Sequence, residues 1–167
     1  ENVREVKEMV RICHALGISV EAELGHVGVG EQYHTDGHQA FTRVEEAVAF
    51  VEQTGVDALA VAIGTAHGVY KGKPELHFDL LQELKEALKI PLVLHGGSGT
   101  GDENLARCAK EGINKINLSN DLKRSAIENL IKEDLSGNAV YQLYPLLAQG
   151  FKNKIKHYIR LFGCEGR

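Results

Sequence analysis

The apolar positions of this chain change period several times, and each change predicts an element. Val3, Val6, Val10, Cys13 and Leu16 recur at helical spacing. Asn2 is a candidate cap for that helix, with Glu5 three residues on, and Gly17 ends it. Ile18, Val20, Ala22 and Leu24 then alternate with Ser19, Glu21 and Glu23, the period of a strand with two carboxylates on one face. From Gly25 to Phe41 the chain is glycine-rich and polar, a loop of lid length. Thr42-x-x-Glu45 spells a capping box for a helix running to Thr54 and stopped by Gly55.

Ala58–Gly64 predicts a strand with Ala58, Ala60 and Ala62 on one face and Leu59, Val61 and Ile63 on the other. Asp79–Lys89 reads as a helix burying Leu80, Leu81, Leu84 and Leu88, and Pro91 introduces the next strand, LVL. Asp102–Glu111 is a helix closed by Gly112, and Lys115–Asn120 (KINLSN) a strand. A helix from Asp121 to about Leu135 follows, then a Ser136-Gly137-Asn138 break and a long helix over Tyr141–Phe162.

The order is a helix, four strand–helix units and a helical extension, which predicts right-handed crossovers and a parallel sheet within a single domain, 1–167. Two α/β architectures fit. One is a small open doubly wound sheet. The other is a (β/α)8 TIM barrel, of which this chain supplies strands 5–8 plus a C-terminal helical extension. In such barrels phosphates commonly bind at the loops after strands seven and eight. Here the last two strands end in Gly-Gly-Ser-Gly and Asn-Leu-Ser-Asn, both suited to that task. A full barrel takes ~250 residues.

Composition narrows the function classes. With a net charge of −4 and basic residues scattered among acids, nothing suggests a nucleic-acid surface. No run of about 18 apolar residues exists, so no membrane span is expected. The charged start, ENVREVKEMV, is no secretory signal. Cys13, Cys108 and Cys164 form no Cys-x-x-Cys pair, which argues for a reducing, cytoplasmic setting; Cys13 and Cys108 fall in helical patterns as core residues.

Three stretches carry chemistry. ALAVAIGTAHG and LVLHGGSG each run an apolar strand into His-Gly, at His67 and His95. Side chains at adjacent strand ends converge, so the two imidazoles suit a shared metal. A catalytic zinc needs about three protein ligands; the third is Glu23, on the neighbouring strand, or a residue outside this chain. Gly96, Gly97 and Ser98 read either as a plain strand–helix turn or as a phosphate cradle with an anion-favouring helix N-terminus beyond. Asn117, Ser119 and Asn120 read as helix caps or as hydrogen-bonding groups for the same anion. Lys71 reads as a surface lysine or an added charge. His14, His26, His34, His38, His77 and His157 receive no role.

These motifs resemble the class II, metal-dependent ketose-bisphosphate aldolases. The matching stretches are SVEAELGHVGVGE, TGVDALAVAIGTAHGVYKG, PLVLHGGSG, INKINLSNDLK and IRLFGCEG. The resemblance implies a TIM barrel and reversible cleavage of fructose 1,6-bisphosphate, or of tagatose 1,6-bisphosphate or another sugar phosphate. The products would be dihydroxyacetone phosphate and glyceraldehyde 3-phosphate, placing the chain in glycolysis or gluconeogenesis as a homodimer or homotetramer.

Carried over by motif, His67 and His95 match two zinc ligands, and Glu23 a carboxylate near the metal. Gly68, Gly96, Gly97 and Ser98, with Asn117, Leu118, Ser119 and Asn120, match positions that hold dihydroxyacetone phosphate. The same glycines and Ser98 resemble a monovalent-cation site for Na+ or K+. Glu31 matches a loop glutamate that transfers a proton at the substrate carbon, making Gly25–Phe41 the lid. The implied chemistry is Lewis-acid catalysis, with Zn2+ polarising the ketone.

Three departures stand out. The loop reads Gly28-Val29-Gly30-Glu31-Gln32, without the acid that usually follows the glutamate. The last phosphate position is Asn120 rather than threonine or serine. The family's first zinc histidine and the aspartate beside it have no counterpart here, so this chain is expected to act only within a longer one. A reading of another class is a non-catalytic phosphate-binding half-barrel.

Overall fold

The computed structural model describes residues 1–25, 28–29, 41–68, 70, 72 and 74–166. In chain order the elements are α1 (Asn2–Ala15), β1 (Glu21–Leu24), β2 (Gly28–Val29), α2 (Val44–Thr54), β3 (Ala58–Val61), β4 (Ala66–His67) and α3 (Phe78–Ala87). There follow β5 (Leu92–Leu94), α4 (Asp102–Glu111), β6 (Ile113–Ile116), α5 (Asn120–Leu130), a 3-10 turn at Gly137–Gln142 and α6 (Leu143–Leu161). Strands β1, β3, β5 and β6 form one parallel sheet in that order, and β2 pairs with β4 in a second, two-stranded parallel ribbon.

Alternation along the strands gives the main sheet two unlike faces. Leu59, Val61, Leu92, Leu94 and Ile113 pack with Ala47, Phe50, Leu81, Leu84, Leu105 and Cys108 of the helices. That is the hydrophobic core, in which burial pushes the Cys108 thiol up to about 12. The other face follows from the register, which aligns Glu23 with Ala60, Ala60 with Val93, and Val93 with Lys115. Helices stacked against one face, and an opposite face on which Glu23 and Lys115 flank Ala60 and Val93, describe an arc of a (β/α)8 barrel, not a doubly wound sheet.

The curvature is visible in one contact. In a flat sheet β1 and β6 would stand three strand spacings apart, about 14 Å. Lys115 Nζ on β6 nevertheless reaches Glu21 Oε2 on β1 at 2.8 Å. The sheet is curled about the face that carries Glu21 and Lys115.

Several local expectations are corrected. Helix α1 already includes Asn2, with Glu1 at the cap position and no side-chain cap bond. Thr42 does not cap α2, which starts after Arg43. Its hydroxyl instead donates to the Leu24 carbonyl at 2.5 Å and accepts the Ala62 amide at 2.8 Å, fastening the ends of β1 and β3. The ordered strand before β3 is shorter than Ile18–Leu24, and the last strand is Ile113–Ile116 rather than Lys115–Asn120, with α5 starting at Asn120 and ending at Leu130. The segment read as a continuous loop after Gly25 contains β2. Among the described residues no helix is long and apolar enough to cross a membrane.

Candidate metal and phosphate site

At the C-terminal end of the sheet, β1, β4 and β5 bring Glu23, His67 and His95 together. One ligand atom from each lies within 4.8 Å of the others. The two imidazole rings stand 6.0 Å apart, centroid to centroid, tilted by 47°. His95 Nδ1 lies 2.5 Å from Glu23 Oε2, and its Nε2 lies 3.1 Å from Glu21 Oε1. Two neutral-capable imidazoles and a carboxylate converging at a strand end are the donor set that zinc takes, so the residues fit that ion. Burial pushes the Glu21 carboxyl up, but its contacts with Lys115 and His95 outweigh burial and hold it below its ordinary value.

Beside this cluster lies an open cleft of about 570 Å³. His67, Gly68, Gly96, Ser98, Asn117, Leu118, Ser119 and Asn120 all line it. His67 therefore belongs to both the cluster and the cleft. The floor is built by glycine. Gly96 adopts φ +67°, and a Cβ there would stand 2.4 Å from the Ala66 carbonyl oxygen, so only glycine lets β5 run so close to β4. Tyr70 locks the approach: its hydroxyl accepts the Ala66 amide at 2.7 Å and donates to the Gly96 carbonyl at 3.0 Å.

Gly97 lies beneath the cleft and does not line it. Its amide donates to the Asn117 carbonyl at 3.1 Å, and a Cβ would meet Ile116 Cγ2 at 2.8 Å. Its role is close packing of β5 on β6. Ser98 is buried at 8 % exposure, and its Oγ accepts the Ser119 and Asp121 amides at 2.9 and 3.3 Å. That leaves the Ser98 hydroxyl proton for the cleft, where the N-terminus of α5 adds partial positive charge.

Glu31 and Lys71 lie outside the described residues, as do His26, His34 and His38. The remaining histidines sit away from the site: His14 Nε2 is 2.9 Å from Asp57 Oδ2, His157 Nε2 is 2.9 Å from Asp102 Oδ2, and His77 packs on Phe41. Three residues went unassigned in the sequence. Lys115, Asp121 and Tyr158 all support the site. The Tyr158 hydroxyl donates to Asp121 Oδ2 at 2.6 Å, and the Gly99 amide donates to the same oxygen at 3.1 Å. A signal for Lys115 was present in the three-residue spacing of Ile113 and Ile116, which a regular strand does not give.

The family model described as Fructose-bisphosphate aldolase class-II matches residues 1–167. The Escherichia coli (strain K12) protein YdjI, whose name calls it uncharacterized, is 41% identical over 170 residues, covering 100% of this chain and 60% of its own length. A crystal structure of the YdjI aldolase from Escherichia coli K12 superposes with a TM-score of 0.84 at 38% identity, over 99% of this chain and 57% of that one. A Coccidioides immitis protein assigned as a fructose-1,6-biphosphate aldolase gives a TM-score of 0.85 at 27% identity, over 99% of this chain and 59% of that one. The chain thus spans about three fifths of the length of the relatives it matches.

Proposed function

The chain belongs to the class II fructose-bisphosphate aldolase family, and on that footing we propose that it supplies the metal-binding and phosphate-binding part of a zinc-dependent ketose-bisphosphate aldolase. The reaction is reversible aldol cleavage of fructose 1,6-bisphosphate to dihydroxyacetone phosphate and glyceraldehyde 3-phosphate. The observation that carries this reading is His67. It is one of the three converging donors and also a wall of the cleft, so a small molecule anchored by its phosphate there reaches the cluster.

His67 and His95 hold the ion through ring nitrogens, with Glu23 as the adjacent carboxylate. When bound, zinc supplies Lewis-acid polarisation of a ketone oxygen and several kcal/mol of stabilisation for developing negative charge. The chain's residues do the positioning. Ser98 presents its hydroxyl and Asn120 the N-terminus of α5 to the phosphate, with Asn117 and Ser119 lining the same cleft. Holding the substrate by a non-reacting group fixes the ketone relative to the histidines, which converts binding energy into orientation. Glu31 exchanges a proton with the substrate carbon. Gly68 and the Gly96–Ser98 turn would hold a monovalent cation, Na+ or K+. The free cysteines fit a cytoplasmic setting.

The test compares two variants of the protein carrying this chain. Asn117→Ala raises KM for fructose 1,6-bisphosphate while zinc stays near stoichiometric. His95→Ala loses both metal and turnover. Full zinc content in His95→Ala would overturn the assignment. Running tagatose 1,6-bisphosphate in parallel establishes which epimer is the substrate.

A further inference from the structure

Glu21 and Lys115 lie outside the cluster of ligand atoms and outside the cleft, yet they meet directly behind His95. Lys115 Nζ donates to both Glu21 oxygens, at 3.1 and 2.8 Å, and Glu21 Oε1 faces His95 Nε2 at 3.1 Å. The pair joins residues 94 positions apart in sequence. Its members come from opposite edges of the main sheet.

A specific backbone feature creates it. The pairing of β5 with β6 slips between Leu92 and Val93, so Leu92 aligns with Ile113 but Val93 aligns with Lys115. Asn114 is the extra residue, and its Oδ1 accepts the Leu92 amide at 3.1 Å, satisfying the donor that the bulge displaces. In a regular strand Asn114 would face inward and Lys115 would point to the helices. The bulge reverses them and aims an ammonium at the concave face, where it meets Glu21. Bulges commonly re-aim side chains beside active sites.

We propose that the Lys115–Glu21 pair is a positioning device that sets which nitrogen of His95 binds the metal; this rests on the metal reading above. An imidazole offers a lone pair on only one nitrogen when neutral, and a hydrogen bond at the other decides which. When Glu21 accepts from Nε2–H, the Nδ1 lone pair is left on the side of Glu23 and His67, where an ion would take the place of the proton otherwise shared by Nδ1 and Glu23 Oε2. Lys115 fixes the carboxylate in place and keeps it oriented as an acceptor. Such outer partners of ligating histidines orient the ring and raise its basicity. Neither residue touches the substrate.

The test uses the protein carrying this chain, with zinc affinity measured by chelator competition and the His95 ring nitrogens followed by 15N NMR of the zinc-loaded form. The parent shows a metal-bound Nδ1 and a protonated Nε2. Glu21→Ala weakens zinc binding about 10- to 100-fold. Glu21→Gln, which keeps the shape and an acceptor oxygen, recovers most of that loss. Lys115→Met weakens binding several-fold, and the Glu21→Ala/Lys115→Met double variant is no weaker than Glu21→Ala alone, because Lys115 acts through Glu21. Zinc affinity within twofold of the parent in Glu21→Ala, with binding abolished in His95→Ala, overturns the positioning role and leaves the metal site standing. Undiminished zinc in His95→Ala overturns both. A metal-bound Nε2 in the parent also contradicts the proposal.

Discussion

The Tyr158 hydroxyl, carried by the last helix, donates to Asp121 Oδ2 at 2.6 Å. Asp121 sits in the first turn of α5, and the same oxygen accepts the Gly99 amide at 3.1 Å, in the turn that shapes the cleft. The C-terminal helix is thereby tied to the phosphate end of the site through a part-buried hydrogen bond. Tyr158 is 5 % exposed, so its side chain is largely shielded from solvent while Asp121 is half-buried.

Replacing Tyr158 with Phe removes a hydrogen bond to a charged acceptor at constant shape. The expected loss of stability is about 2 kcal/mol, read as a lower urea midpoint with unchanged slope. Substrate KM rises as the Gly99 turn loosens, while zinc content holds. A midpoint equal to the parent's would show that the bond contributes nothing.

The same bond predicts a pH dependence. Burial, and then the neighbouring Asp121 charge, pushes the Tyr158 phenol well above its usual range. A phenol in the unfolded chain titrates near pH ~10. The unfolded state therefore gives up its proton first, and this contribution is complete below about pH 10 and lost as the pH rises beyond it. The stability difference between parent and Tyr158→Phe is constant from pH 7 to about 9 and shrinks above pH ~10. A difference that stays flat to pH ~11 would contradict the burial argument.

Gly96→Ala tests the floor of the cleft. The substitution places a Cβ 2.4 Å from the Ala66 carbonyl oxygen at φ +67°. A left-handed L-residue costs about 1–2 kcal/mol, and forcing backbone apart adds about 1–3 kcal/mol. Thermal unfolding registers the loss, and zinc affinity falls because β4 carries His67. Gly101→Ala, where a Cβ would meet nothing within 4 Å at a φ of +90°, carries the conformational strain alone and leaves zinc affinity unchanged.

The sequence exposes the site where it depends on residue type and local order. His-Gly after an apolar run marks a strand end at both His67 and His95, and Gly-Gly-Ser before a helical pattern marks a turn that approaches a ligand. Alternation in Ser19–Leu24 also places Glu21 and Glu23 on one face, as the structure has them. Where a short-range rule competes with a long-range contact, the reading fails. Thr42 satisfies the capping pattern, but two backbone groups of the sheet claim its hydroxyl. The Ile113–Ile116 spacing hints at the bulge that turns Lys115 but not at its partner, which lies on the far edge of a sheet whose curvature no local pattern encodes. Tyr158 falls within a helical repeat that explains its apolar ring but not its hydroxyl.

Metal dependence of the aldol reaction is the most direct test of the function proposed here. The protein carrying this chain is stripped with EDTA, its metal content is measured, and cleavage of fructose 1,6-bisphosphate is followed before and after stoichiometric zinc is restored. Activity should fall to background with the metal and return with zinc, and borohydride in the presence of dihydroxyacetone phosphate should trap no adduct. Turnover that persists at full rate in demonstrably metal-free protein would contradict the assignment of Glu23, His67 and His95 as the centre of the reaction.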